Sequence, residues 1–218
     1  MSALSERLRD ANRDAWAAMQ RHRFVCEIEA DALPADVFHR YLRYEHRFVA
    51  ISILIFGHAL LQAPDMAARR FLCGVLHGLG GEQLDYFDRV FASLGLVPHG
   101  PEEKLPDAVV ALDRGMLTVA ERGAYLDTLT IMLAAEWMYA TWCGRAHRRQ
   151  PSYPPLADWV RLHAEPAFLA QADWLRAQID AAAAQVDATT FKHLVDLFDQ
   201  TLRLEIDFHA AAYEEPRS

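Results

Sequence analysis

Apolar residues recur every three or four positions through nearly the whole chain, and no stretch alternates with period two between turn signals. That pattern confines the fold to packed helices. Each helix has one apolar stripe, and the stripes must bury one another. The periodicity predicts a helix over 3–22 and a loop through Asp31. It predicts a second helix over 34–61, with Pro34 in its first turn and Phe38, Tyr41, Leu42, Phe48 and Val49 on one face. Pro64 and Asp65 open a helix over 65–94 that Gly95 closes. Pro98, Gly100, Pro101 and Pro106 mark a loop. Two helices are expected over 107–121 and 124–147, hinged near Gly123. After the break "RRQPSYPP", two helices over 155–183 divide at Pro166. Asp187 caps the last helix, 188–213. The expected architecture is one all-α domain, a single-domain bundle of seven or eight helices.

With 218 residues and 52% hydrophobic side chains, the chain can bury one sizeable core. Its net charge of −8 argues against a nucleic-acid partner, which a basic patch would serve. No apolar run reaches the ~18–20 residues of a membrane span. The start, MSALSERLRD, lacks the apolar core of a signal peptide. Cys26, Cys73 and Cys143 are odd in number and scattered, which suggests reduced thiols acting as small buried hydrophobes. A cytoplasmic protein without a membrane partner is the expectation.

The run from Thr128 to Gly144 holds a single charged side chain, Glu136, in "IMLAAEWMYATWC". An ionised carboxylate in apolar surroundings is costly unless it is paired or takes up a proton. The same pattern recurs. Glu45 falls in the middle of the apolar face of helix 34–61, and Glu205 in the middle of that of the last helix, in "LRLEIDFHAAAY". Glu82 falls with Val75, Leu79 and Tyr86. Four glutamates are thus expected to face inward from four helices. Carboxyls that share a site repel when ionised, so at least one pKa rises and the set titrates together.

Two kinds of site use such a set. One is a di-metal carboxylate centre, which in bundles adds histidines at Glu-x-x-His spacing. Here Glu205 and His209 are four apart, but inward histidines are few. The other is a metal-free acid–base site with an aromatic cage for a flat substrate. Glu-x-x-aromatic spacing favours this second kind: Glu45 with Phe48, Glu136 with Tyr139, and Glu205 with Phe208 each share a helix face. Tyr44, Tyr86 and Trp137 lie nearby. Rings stack on a planar heterocycle while carboxylates bind its amino group and ring nitrogens.

The segments "FVCEIEADALPADVFHRYLRYEHRFV", "GGEQLDYFDRVFASLGL", "AAEWMYATW", "YPPLADWVRLH" and "FDQTLRLEIDFHAAAY" succeed one another across nearly the whole chain. In order and spacing they resemble the TenA family, the thiaminase II and aminopyrimidine aminohydrolase group. The resemblance implies a haem-oxygenase-like all-α fold without haem, metal or other cofactor. It also implies a thiamin-salvage hydrolase that releases hydroxymethylpyrimidine from thiamin breakdown products, in a homo-oligomer (dimer or tetramer). Glu205 and Phe208 match the family's catalytic glutamate and ring-stacking phenylalanine. Glu45 stands at the pyrimidine-binding aspartate, Tyr44 at the glutamine before it, and Phe48 and His163 at pocket tyrosines. Leu112 falls near another pocket tyrosine. Ala135 occupies the position of the nucleophilic cysteine, and "EWMYATWC" resembles a branch that lacks that thiol and carries a glutamate here. The expected site is therefore Glu205 and Glu136 as catalytic groups. Glu45, Phe48, Tyr44, Glu82, Tyr86, Tyr139, His163 and Phe208 would surround a pyrimidine-like small molecule. The oxidase reading with a di-iron site, and a non-catalytic binder of a small heterocycle, remain the alternatives.

Overall fold

The computed structural model describes residues 2–100 and 102–214. Pro101, one of the expected loop residues, lies outside them. Among the described residues the chain is all-α, with eleven α-helices, one π turn and one 3-10 turn. No helix is long and apolar enough to cross a membrane among the described residues. The chain packs as two compact units, residues 1–33 with 129–207, and residues 34–128 with 208–218.

The first unit contains α1 (Leu4–Ala11), α2 (Arg13–Gln20), α3 (Arg23–Glu29), most of α8 (Tyr125–Arg149), α9 (Pro154–Leu162), α10 (Pro166–Ala181) and most of α11 (Ala188–Ala211). The helix expected over 3–22 is two, because the chain breaks at Asn12. The Asn12 side chain leaves the helical pattern to donate to the carbonyls of Leu8 and Val195, which anchors the break on α11. A further helix, α3, stands where a loop was expected. Phe24, Val25 and Ile28 are fully buried on one side of it, and the His22 ring accepts from the Phe24 N–H at its start. Burying side chains of this size contributes roughly 1.5–3 kcal/mol each, enough to offset weak intrinsic propensity. Arg145 then ties α8 down. It donates to Glu29 at 2.8 Å and to the Gln20 side chain and carbonyl at 2.6 and 3.0 Å. The Asp187 cap is present, with the Thr190 N–H 2.8 Å from its carboxylate.

The second unit contains α4 (Ala35–Gln62), α5 (Met66–Gly78), α6 (Leu84–Leu94), α7 (Asp107–Arg122), the start of α8 and the end of α11. The long helix α4 is its centre and packs against α5, α6 and α7. Asp65 caps α5 through the Ala68 N–H at 2.8 Å. Gly95 closes α6 with φ 66°, a left-handed value that a side chain would strain. Gly123 separates α7 from α8. A Cβ there would lie 2.6 Å from the Val119 carbonyl oxygen, so only glycine fits the hinge. The helix expected over 65–94 is interrupted by the π turn Leu79–Gln83, whose wider winding shifts the register of α6 relative to α5. The cysteines divide: Cys143 is buried as expected, but Cys26 and Cys73 are exposed.

Candidate active site

In the first unit, α8 and α11 bring two buried carboxyls into electrostatic contact. Glu205 is fully buried and Glu136 is 8% exposed. Ala134 and Ala135, both buried, precede Glu136 on α8. The Tyr139 hydroxyl, one turn along from Glu136, donates to Glu205 Oε2 at 3.4 Å. Gln171 of α10 hydrogen-bonds to Glu136. Glu136 Oε2 has no hydrogen-bond partner among the described residues.

Burial sets the electrostatics. Loss of water pushes the Glu136 carboxyl up to about 8, and the Gln171 bond recovers only part of that. Glu205 is also pushed up to about 8, first by burial and then by the charge of Glu136, with the Tyr139 hydroxyl acting the other way. At neutral pH the pair therefore holds protons that ordinary carboxyls would have lost. Ionising Glu136 tightens the hold of Glu205 on its own proton. That coupling places one proton acceptor and one proton donor side by side.

Tyr139 belongs in turn to a cluster of rings. His163, just past the end of α9, is buried against Trp159 with ring centroids 4.2 Å apart, and Tyr139 and Phe168 lie at 5.5 and 4.9 Å. Burial drops the His163 pKa to about 4. The ring is therefore neutral. Its Nδ1–H donates to the Trp159 carbonyl at 2.9 Å, which leaves Nε2 as an acceptor. Trp142 stacks on Trp159 behind the histidine.

The remaining expected residues belong to the second unit. Glu45 is 5% exposed on α4. Phe208, at the end of α11, packs against Tyr41, Phe48 and Tyr44 at 5.7, 6.2 and 6.4 Å. Tyr44 also stacks on His99 at 5.4 Å. Tyr86 is buried, edge-on to Phe87. Leu112 is fully buried. Glu82 requires a correction: it is exposed, not inward. It sits inside the π turn, where the extra residue rotates it off the face shared by Leu72, Val75 and Leu79. No group of three or more His, Cys, Asp or Glu side chains is placed to hold a metal ion among the described residues. Periodicity missed Gln171 and the neutral state of His163. Neither has a local signal, since both arise from what other helices bring against them.

The fold is haem-oxygenase-like. The chain superposes with a TM-score of 0.74 on a Shewanella denitrificans domain of that fold, at 12% identity, covering 95% of this chain and 91% of that one. A TenA homologue from Pyrococcus furiosus superposes with a TM-score of 0.87 at 17% identity, covering 96% and 100%. Residues 9–215 match the TENA/THI-4/PQQC family, and the chain belongs to it. An aminopyrimidine aminohydrolase of Halalkalibacterium halodurans is 26% identical over 204 residues, 92% of this chain and 91% of that protein.

Proposed function

We propose that the protein is a thiamin-salvage hydrolase acting on an aminopyrimidine or formylaminopyrimidine, with Glu205 and Glu136 as its acid–base pair. The observation that carries this reading is two buried carboxyls in electrostatic contact, both raised to about 8, with a phenol on one of them. The similarity to an aminopyrimidine aminohydrolase supports the substrate class.

In the proposed reaction, Glu205 gives its proton to the departing amine as the carbon–nitrogen bond breaks. The ionised partner takes a proton from water as the new carbon–oxygen bond forms. An aminopyrimidine cleaved at a saturated carbon gives an alcohol and ammonia, a formylamino group gives formic acid and an amine, and in either case the pair ends with the same number of protons. A covalent step through residue 135 is ruled out by chemistry, because the alanine there has no nucleophile. Tyr139 holds Glu205 in place, and the neutral His163 offers Nε2 as an acceptor while its Nδ1–H stays on the backbone.

Roles for Glu45, Phe48, Tyr44, Tyr86 and Phe208 in binding the pyrimidine are part of the proposal. Glu82, exposed to solvent, is not. Assembly into a homo-oligomer is proposed on the resemblance and is read by light scattering. The decisive experiment is Glu205→Gln assayed on an aminopyrimidine. Turnover should vanish while helical content and ligand binding persist; normal turnover would remove Glu205 from the reaction.

A further inference from the structure

Helix α10 reaches the carboxyl pair with one side chain. Ala172, Leu175 and Ile179 form the buried stripe of this helix. Gln171 lies on the flank of that stripe, partly exposed, and hydrogen-bonds to Glu136. Two further contacts fix the helix around it. The Asp180 carboxylate accepts from the Ser5 N–H of α1 at 2.8 Å, and the Arg176 guanidinium sits 4.6 Å from the centre of the Trp137 ring. Trp137 follows Glu136 directly, so α10 holds α8 at two consecutive residues. Helix packing therefore delivers the Gln171 amide to a fixed place beside Glu136.

Two acids that share a proton divide its ownership by their surroundings. An ionised carboxylate only accepts, so the Gln171 amide meets it with its NH2 group. Such a charge-assisted bond favours the ionised form. Glu136 is also less deeply buried, 8% exposed against 0% for Glu205. The Tyr139 bond to Glu205 is long, at 3.4 Å, and offsets that deeper burial only weakly. The charge of Glu136 adds a further cost to ionising Glu205. These differences put the negative charge on Glu136 and the proton on Glu205.

We propose that Gln171 is the positioning residue that sets the roles of the pair, keeping Glu136 as the proton acceptor and leaving Glu205 as the donor. The inference rests on the acid–base reading of the pair, but protonation can be read without turnover. In a Glu205→Gln background, infrared titration of the full chain labelled with 13C-glutamate follows Glu136. Adding Gln171→Leu should move its midpoint up by about one pH unit. In a Glu136→Gln background the same change should leave the Glu205 midpoint in place, whereas loosened packing would move both. Gln171→Met, of similar length to glutamine, should behave as Gln171→Leu does, and circular dichroism checks that each variant is folded. In steady-state assays on an aminopyrimidine, Gln171→Leu alone should lower kcat at pH 7 about tenfold with KM little changed. If the unaltered chain turns over no aminopyrimidine, the proposed function fails while the titration still decides the role of Gln171. An unmoved Glu136 midpoint, an equal shift of Glu205, or an unchanged kcat in an active enzyme overturns the proposal.

Discussion

Two buried acids in the same chain meet opposite fates. Asp113 on α7, 3% exposed, is bound by the Arg47 guanidinium at 2.7 Å. Burial pushes its carboxyl up, and Arg47 pulls it back. Glu205, in the other unit, faces a second carboxyl and a phenol instead, and is pushed up to about 8. At Asp113 a cation offsets part of the cost of burial, whereas at the Glu136–Glu205 pair no cation does and the second carboxyl adds to it. Burial alone does not set how tightly an acid holds its proton. The neighbour the fold supplies, a cation or another acid, decides the rest.

The largest effect that would sharpen this contrast is on turnover. Glu205→Gln should lower kcat by roughly a thousandfold or more, whereas Asp113→Asn should leave kcat unchanged; steady-state assays of both variants decide it. Next comes pH. The productive state has one proton on the pair, so activity should rise toward pH 8 and fall above it. In Glu136→Gln the charge that raises Glu205 is gone, so the remaining ionisation should move to lower pH. His163 titrates near 4 and should leave no inflection in the profile above pH 6.

Stability should change with a definite sign. Both glutamates have folded pKa values above the ordinary 4.5. Between pH 4.5 and about 8 the folded state therefore binds more protons than the unfolded chain, and rising pH removes stability. The penalty is complete above about 8 and absent below 4.5. Glu136→Gln should accordingly raise Tm, by about 5 °C or more, at pH 8.5 and hardly at all at pH 4.5. Asp113 is also raised on balance, so Asp113→Asn should act with the same sign, but the lost Arg47 bond offsets it and its Tm should change less with pH than that of Glu136→Gln. The smallest effect is expected at Gly95→Ala, where the left-handed backbone costs about 1 kcal/mol and activity is untouched.

Much of the site was legible because a carboxylate inside an apolar helical face breaks a strong pattern. Glu136, Glu45 and Glu205 all stood out that way, and all three are buried. Glu82 failed the same test because the π turn at Leu79–Gln83 adds a residue to the winding, and no side chain announces it. The breaks at Gly95, Gly123, Asp65 and Asp187 were legible because each depends on local backbone geometry or a cap. Asn12 and α3 were not, since a carbonyl on α11 and a core beneath Phe24 decide them.

The chain's own order of residues determined that it is helical, where most helices stop and which acids leave water. Those are matters of period, backbone freedom and local hydrogen bonding. Only the tertiary structure decided that Glu205 meets Glu136 and Tyr139 while Asp113 meets Arg47. Proton affinity in a low-dielectric interior depends on neighbours from distant helices, and periodicity along one helix carries no record of them.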